Sequence, residues 1–361
     1  MRLDGAGPVL TGVSFVVLTA VLAAVAWDRS KHYARAGLAA AAALAVLVTS
    51  ALELNRLTET YPTWSALAGD SADPDPGPDP GADPGRGTTF RAHPASQAPR
   101  PSQHTPTQRG GRIVELTVAG RASGMTMPAY VYLPAAYGAG RERFPVIEAT
   151  HGYPGSPRAW LRRLNVLGYL NREIAAGRMA PTVVVFPYQT PTALLDTECT
   201  NLTGGPQAET YLTRDIPAAI KTHYRVRTDR AGWGLIGYSA GGFCSTNLLL
   251  RHPGEYAAAA SLSGYAEAGI VIGDGSEKTG NNPAWRLRHL PQPPVGLYLA
   301  YAGDDRHARA DSLLLARLAR APIAVTTAVV AHGGHSDAVW KAMEAPAFDW
   351  LSSWLARPAA S

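Results

Sequence analysis

Residues 237–241 read Gly-Tyr-Ser-Ala-Gly, which places a serine between two glycines. A serine hydroxyl becomes a nucleophile when a histidine takes its proton and a carboxylate orients that histidine. A short apolar run precedes the motif and a helical pattern follows it, so Ser239 is predicted to lie in the tight turn between a strand and a helix. The sequence therefore predicts nucleophilic catalysis by Ser239.

His335 is the predicted base. It lies in a Gly-Gly-His sequence between a predicted strand and the last predicted helix. Such a loop belongs at the carboxyl edge of a parallel sheet, where catalytic groups gather. Other histidines suit the role less well: His332 is nearer the strand, His252 precedes a proline at a helix end, and His307 adjoins the acidic candidates.

Two adjacent carboxylates follow the strand predicted at residues 295–300, and either can orient the base. We favour Asp305 as this acid, with Asp304 as the second choice. The carboxylate that is not used is expected to cap a helix N-terminus or to be a solvated loop charge.

An oxyanion formed at Ser239 needs two backbone donors. Ala240 opens the helix after the serine, so its N–H is one predicted donor. Residues 151–155, His-Gly-Tyr-Pro-Gly, end another predicted strand, in the position of the loop that supplies the second donor in enzymes with this type of serine turn. We expect the N–H of Tyr153 to be that donor; a plain strand-to-helix turn is the alternative.

After residue 111, short β-branched runs alternate with helical patterns, which predicts βαβ units and a mostly parallel sheet with helices on both faces. The predicted strands are 112–118, 127–133, 145–150, 182–186, 231–236, 257–262, 295–300 and 323–330. The predicted helices are 158–176, 208–223, 240–252, 308–319 and 337–355. The first two strands are expected to be antiparallel.

The first 60 residues contain two apolar stretches, at about 7–27 and 36–54, each of a length that suits a membrane span. The loop between them carries three positive charges, so the positive-inside rule places it in the cytoplasm and both outer ends outside. A cleaved signal peptide, or a hairpin packed on a soluble domain, are the alternatives to this transmembrane hairpin. Residues 61–111 are rich in Pro, Gly and Asp and are expected to be a linker, with the catalytic domain at 112–361 on the extracytoplasmic side.

The chain has two cysteines, Cys199 and Cys244. In an exported domain they are expected to form a disulfide that pins the loop of Cys199 to the helix after Ser239, and two free thiols are the alternative. The loop also carries Asp196 and Glu198, which either line the site or are loop charges.

The charge pattern argues against a nucleic-acid partner. The net charge is +5 and the arginines that carry it are scattered along the chain. A metallohydrolase site built on His151, His332 and His335 lacks a carboxylate at a suitable spacing, so no metal is expected.

Residues 112–361 resemble the putative esterase family of α/β-hydrolases, which is related to esterase D-type S-formylglutathione hydrolases and to the antigen 85 mycolyltransferases. The resemblance is carried by residues 151–155, 209–217, 237–242 and 333–335. The whole chain is similar in layout to actinobacterial members with N-terminal membrane helices. The resemblance implies an α/β-hydrolase fold, a Ser–His–Asp triad acting on acyl esters, and no cofactor. Antigen 85-type enzymes use a glutamate as the acid, whereas this chain has two aspartates there.

Three functions are compatible with this sequence. The first is hydrolysis of a carboxylic ester through an acyl-enzyme, with a lipid or a cell-envelope glycan ester as a conceivable substrate. The second is transfer of the acyl chain to a sugar or cell-wall hydroxyl, which uses the same residues but excludes water. The third is a non-catalytic envelope-binding module, against which the complete set of serine, acid and histidine argues.

Overall fold

The computed structural model describes residues 6–28, 31–58, 64, 110–192 and 194–360. These residues form two compact units, one holding two long helices and the other holding an eight-stranded sheet with its helices. Most of the linker expected at residues 61–111 lies outside the described residues.

The first unit contains α1 (Ala6–Ala26) and α2 (His32–Thr58), which pack against each other as a hairpin. Gly12 allows the close approach, since a Cβ there would lie 2.5 Å from Oγ1 of Thr49. The helix α2 extends beyond the predicted 36–54 at both ends, from His32 to Thr58. Both helices are long and apolar enough to cross a membrane, and a signal sequence shares these properties with α1.

The second unit alternates strands and helices. Its strands are β1 (Arg112–Ala119), β2 (Thr126–Leu133), β3 (Val146–Thr150), β4 (Val183–Pro187), β5 (Trp233–Tyr238), β6 (Ala258–Leu262), β7 (Gly296–Ala302) and β8 (Ala324–Val330). Its helices are α3 (Arg158–Arg162), α4 (Val166–Ala175), α5 (Ala208–Thr210), α6 (Ile216–His223), α7 (Ala240–Arg251), α8 (Pro283–His289), α9 (Arg306–Leu318) and α10 (Asp337–Trp354). A π-helical turn, Tyr211–Asp215, joins α5 to α6.

The strand order is β1-β2-β4-β3-β5-β6-β7-β8, and β2 runs opposite to the other seven strands, so that its pairings with β1 and β4 are antiparallel and the remaining pairings are parallel. The predicted α/β fold, with a mostly parallel sheet and an antiparallel start, is confirmed. In the sheet, β3 lies between β4 and β5. The chain passes from β3 to β4 on one side of β3 and then crosses over to β5 on its other side. The carboxyl ends of β3 and β5 therefore border a crevice, which is where ligands bind in open α/β sheets.

Both faces of the sheet are buried, since alternate side chains of a strand point to opposite faces. In β4, Val185 belongs to one hydrophobic cluster and Val184 to the other. The first cluster includes residues of α6, α7, α8 and α9, and the second includes residues of α3, α4 and α10. Helices thus cover both faces, as the continuous apolar strands predict.

Four elements differ from the sequence prediction. The helix predicted at 208–223 is interrupted by the π-helical turn Tyr211–Asp215. The helix predicted at 158–176 is divided, because Asn165 takes a left-handed conformation with φ 54° between α3 and α4. The strand predicted at 231–236 begins at Trp233, after a single 3₁₀ turn at Arg230–Gly232. The short helix α8 was not predicted, although Asn282 followed by Pro283 is a recognisable helix start: the Asn282 side chain accepts the Trp285 N–H at 2.8 Å.

A buried carboxyl group lies in the middle of the sheet. Glu148 of β3 accepts a hydrogen bond from the Tyr256 hydroxyl at 3.2 Å, and its Oε1 has no partner among the described residues. Burial raises the pKa of Glu148 to about 8. The folded chain therefore holds a proton on Glu148 at pH values where the unfolded chain has released it.

The raised pKa of Glu148 makes the stability of the wild type depend on pH, and we predict that the Glu148→Gln variant removes this dependence. Below about pH 4.5 the carboxyl is protonated in both states, and between pH 4.5 and 8 only the unfolded chain ionises, so wild-type stability falls as the pH rises. The wild type should therefore lose stability relative to Glu148→Gln as the pH rises. The difference between their free energies of unfolding should change by about 1.4 kcal/mol per pH unit across this window and stay constant at higher pH. Urea unfolding from pH 5 to 9 measures this difference. Glu115→Gln, the same change on the exposed side of β1, is the control, and an equal trend for both variants would contradict the prediction.

Candidate active site

Ser239 lies in a strained turn between β5 and α7. Its backbone has φ 55° and ψ −123°, a conformation that a residue with a side chain rarely adopts. The turn is held because Ser239 donates its N–H to the carbonyl of Leu262 at 2.9 Å and accepts the N–H of Gly242 at 2.8 Å. The serine therefore lies at the carboxyl edge of the sheet, with a helix N-terminus directly after it.

The two glycines that flank the turn are required by backbone packing. A Cβ on Gly237 would lie 2.0 Å from the carbonyl oxygen of Gly241, and a Cβ on Gly241 would lie 2.4 Å from the carbonyl oxygen of Thr150. The Thr150 hydroxyl donates to the Gly241 carbonyl at 2.9 Å, which ties the first turn of α7 to the end of β3. Any larger residue at Gly237 or Gly241 would move the serine.

His335 connects Ser239 to Asp305. Its Nε2 lies 2.9 Å from the Ser239 hydroxyl, and its Nδ1 lies 2.7 Å from Oδ2 of Asp305. The Asp305 side chain is buried, whereas 44% of the His335 side chain is exposed. Because the carboxylate accepts a hydrogen bond from the Nδ1–H of His335, Nε2 carries no proton and is free to accept the serine proton.

Asp305 also begins α9. Its Oδ1 accepts the N–H of Ala308 at 3.1 Å, which caps the helix, while Oδ2 contacts His335. The unused carboxylate was expected to cap a helix or to be a solvated loop charge, and here it is Asp305, the carboxylate that contacts His335, that caps the helix. One side chain does both, because the second oxygen of a carboxylate remains available after the first has bonded.

Asp304 shapes the loop that carries the histidine. Its two oxygens accept the N–H groups of Gly333 at 3.1 Å and Gly334 at 2.9 Å. These hydrogen bonds lower the pKa of Asp304. Gly333 and Gly334 have φ values of 130° and 63°, so glycine is needed at both positions. Asp304 thus braces the backbone just before His335 and does not contact its ring.

The other histidines considered from the sequence have different surroundings. The His332 side chain is 88% exposed, 3.9 Å from Asp304. His252 follows α7 and places its Nε2 2.7 Å from Oε1 of Glu209, while His307 lies in the exposed first turn of α9. Among the residues that the structure describes, no group of three or more His, Cys, Asp or Glu is placed to hold a metal ion.

Trp340 is a site residue that the sequence did not reveal. Its ring lies edge-on to the His335 ring at 5.0 Å and packs on the Tyr238 ring at 4.7 Å. The indole is buried at the start of α10 and supports one face of the site. A tryptophan five residues after a histidine matches no known motif. The contact between the two rings therefore becomes visible only in the folded chain.

The loop after β3 passes beside the serine. A Cβ on Gly152 would lie 3.1 Å from Cβ of Ser239, and Tyr153 follows with its hydroxyl donating to the Leu194 carbonyl at 2.9 Å. Ala240 is the first residue of α7, and the first N–H groups of a helix have no acceptor within the helix. Tyr153 and Ala240 remain the predicted oxyanion donors.

Cys199 and Cys244 form a disulfide, with their Cα atoms 5.5 Å apart, so they are not free thiols. The adjacent Glu198 accepts hydrogen bonds from the Tyr265 hydroxyl and the Gly269 N–H, both at 2.9 Å, and burial raises its pKa to about 7. Glu198 therefore braces the segment after β6. Asp196 in turn accepts the Glu198 N–H at 2.9 Å, so both residues act as internal braces of this loop.

Comparison with known proteins identifies the family. Residues 121–358, more than half of the chain, match the family model described as "Putative esterase". The chain belongs to the putative esterase family. This is a family of serine hydrolases with the α/β-hydrolase fold, and the esterase domain of this chain has the fold that the sequence resemblance implied.

The relatives of the esterase domain include proteins of known and unknown activity. An uncharacterized protein of Corynebacterium glutamicum is 27% identical over 265 residues, which are 67% of this chain and 62% of that protein. A ferulic acid esterase structure superposes with a TM-score of 0.61 at 17% identity, covering 68% of this chain and 99% of the other. An S-formylglutathione hydrolase from Agrobacterium tumefaciens gives a TM-score of 0.58 at 16% identity, covering 71% and 99%. These structural likenesses concern the fold.

The two aspartates are predicted to differ in their effect on ester hydrolysis. Asp305→Asn should lower kcat by about a thousandfold or more, because the neutral amide no longer selects the tautomer of His335 that accepts the serine proton. Asp304→Asn should lower kcat by roughly tenfold or less, since it loosens only the backbone before the histidine. Steady-state hydrolysis of p-nitrophenyl acetate compares the two variants. A larger loss for Asp304→Asn would show that the acid has been assigned to the wrong residue.

Proposed function

We propose that the chain is a serine esterase that hydrolyses carboxylic esters through an acyl-enzyme on Ser239. The observation that carries this proposal is the continuous hydrogen-bonded chain from Asp305 to His335 at 2.7 Å and from His335 to Ser239 at 2.9 Å. A serine, a base and an orienting carboxylate within hydrogen-bond reach of one another are the requirement for an activated hydroxyl. Membership of the esterase family supports the same chemistry.

In the first half-reaction, the Ser239 oxygen forms a bond to the ester carbonyl carbon while Nε2 of His335 takes its proton. The carbonyl electron pair moves onto the oxygen, and the N–H groups of Ala240 and Tyr153 are proposed to bind this oxyanion. Asp305 stabilises the positive charge on His335. The tetrahedral intermediate then expels the alcohol, which leaves with the proton from His335, and the acyl group stays on Ser239.

In the second half-reaction, water replaces the alcohol. His335 removes a proton from the water as its oxygen bonds to the acyl carbon, and then returns the proton to the departing Ser239 oxygen. The half-exposed side chain of His335 supports access of water to this position and so favours hydrolysis over acyl transfer. The products are a carboxylic acid and free enzyme.

The ferulic acid esterase with the same fold makes an aromatic ester a reasonable first substrate to try, beside short and long fatty acyl esters. Esters of lipids or of cell-envelope glycans fit a domain attached to a membrane.

The catalytic domain is proposed to lie outside the cytoplasmic membrane, attached by α1 and α2. The Cys199–Cys244 disulfide supports an oxidising compartment. The positive charges between the two apolar stretches support a cytoplasmic position for the loop that joins them. The start of α1 and the end of α2 would then lie on the outer side of the membrane.

Ser239→Ala is predicted to abolish ester hydrolysis and labelling by a fluorophosphonate probe. The rate should fall by at least about a thousandfold, because no nucleophile remains. Ser353→Ala, which removes a hydroxyl from the last turn of α10, should retain both properties. Mass spectrometry of wild type locates the adduct, and a wild-type protein that is folded but takes up no probe at Ser239 would overturn the proposed function. Products formed with p-nitrophenyl esters in the presence of glycerol or trehalose then separate hydrolysis from transfer.

The proposed topology predicts the activity of alkaline phosphatase fusions in a bacterial host. A fusion after residue 111 should be active, because this reporter folds only in an oxidising compartment, and a fusion after residue 30 should be inactive. Fusions of a fluorescent protein that matures in the cytoplasm, made at the same two positions, should give the opposite pattern. Activity at both phosphatase positions would contradict a hairpin with a cytoplasmic loop.

A further inference from the structure

The side chain of Gln189 clamps the backbone of the loop after β3. Gln189 follows β4, the neighbour of β3 in the sheet, and is buried. Its Oε1 accepts the His151 N–H at 2.6 Å, and its Nε2 donates to the His151 carbonyl at 3.2 Å. The amide thus satisfies both backbone groups of one residue, which fixes that residue on two sides.

The His151 ring fixes the next peptide. Its Nδ1 lies 2.9 Å from the Gly152 carbonyl, which can only accept, so Nδ1 carries the proton. Burial lowers the pKa of His151 to about 4, and its Nε2 is buried without a partner among the described residues, so the ring is neutral at neutral pH.

The direction of the Gly152 carbonyl decides the direction of the Tyr153 N–H. Among the described residues the only cis peptide is Ala321–Pro322, so the peptide between Gly152 and Tyr153 is trans. In a trans peptide the C=O and the following N–H point in opposite directions. With its carbonyl bonded to the His151 ring, this peptide directs the Tyr153 N–H away from that ring.

The same glutamine contacts the disulfide. Its Nε2 lies 3.3 Å from the sulfur of Cys199 and 3.5 Å from that of Cys244. Cys244 belongs to α7, the helix that Ala240 begins. The hydroxyl of Thr197, in the disulfide loop, donates to the Gln189 carbonyl at 2.9 Å. The Gln189 amide therefore lies between the helix carrying one predicted oxyanion donor and the loop carrying the other.

We propose that Gln189 is a positioning residue for the oxyanion hole and that the disulfide acts on catalysis through it. Gln189 holds the loop of Tyr153 at a fixed place relative to α7, and the Cys199–Cys244 bond holds the surroundings of the Gln189 amide. This inference rests on the proposed function of Ser239. It assigns to the disulfide an effect on kcat in addition to any effect on stability.

Gln189→Met tests the clamp, because methionine has a similar length but has no amide. The kcat for p-nitrophenyl acetate should fall by about tenfold to a hundredfold, part of what complete loss of an oxyanion donor costs, with KM changed by less than about twofold. Gln292→Met is the matched control: Gln292 also clamps backbone groups, accepting the Arg320 N–H at 2.6 Å and donating to the Leu287 and Leu318 carbonyls at 2.9 Å. It precedes β7, at the opposite end of the strands from Ser239.

The two glutamine variants are compared at a temperature where circular dichroism shows both to be folded. A selective loss of kcat in Gln189→Met supports the proposal, whereas equal kcat values for the two variants overturn it. If Gln189→Met does not fold, Gln189→Asn takes its place, since its amide is one methylene shorter and cannot bond both backbone groups of His151 from the same position. Its kcat should then also fall, and a wild-type kcat would overturn the proposal.

A double-mutant cycle tests the connection to the disulfide. Replacing Cys199 and Cys244 with serine should lower kcat in the wild-type background and have a smaller effect on kcat in the Gln189→Met background. If the cysteine replacements lower kcat by the same factor in both backgrounds, the proposed connection between the disulfide and Gln189 is overturned.

Hydrogen exchange separates a failure of this inference from a failure of the proposed function. The His151 amide should exchange faster in Gln189→Met than in wild type, and in Gln292→Met it should exchange at the wild-type rate. Both results are expected whether or not the protein hydrolyses any ester tried. An unchanged His151 amide would overturn the clamp, while a wild type that hydrolyses no ester and takes up no fluorophosphonate would overturn the function alone.

Discussion

The contact between the first turn of α7 and the ends of β3 and β5 determines the geometry of the site. Gly237 and Gly241 let backbone approach backbone so closely that no Cβ fits, and Thr150 adds a hydrogen bond across the contact. The strain at Ser239, with φ 55°, persists because this packing leaves the chain no alternative. The serine is thereby placed in the crevice at the switch point between β3 and β5, where side chains from several strand ends can reach it.

His335, the proposed base, is placed by two adjacent aspartates with different contacts. Asp305 orients the ring of His335 and caps α9, while Asp304 bonds the backbone of Gly333 and Gly334. The two aspartates after β7 therefore hold both the ring of His335 and the loop that carries it. His335 is half exposed to solvent and keeps its position because its supports lie on the rigid edge of the sheet.

The disulfide gives a similar rigidity to the other side of the site. It joins α7 to the loop after β4, and Gln189 and Glu198 extend its effect to the loop after β3 and the segment after β6. Disulfides form and persist mainly in oxidising compartments, which agrees with the proposed placement of this domain outside the membrane. Cys244 lies in the helix that follows Ser239, and this position is the reason that we propose a catalytic effect for the disulfide.

The sequence by itself determined the family, the alternating α/β pattern and the turn at Ser239, because local spacing, apolar periodicity and glycine placement are written along the chain. It also named both aspartates, yet the choice between them depends on which carboxylate meets the ring of His335, and that contact joins β7 to a loop 30 residues away. The positions of Trp340 and Gln189 were decided only by tertiary structure. Neither residue has a spacing relative to its partners that periodicity can detect, because packing of elements distant in sequence creates their contacts.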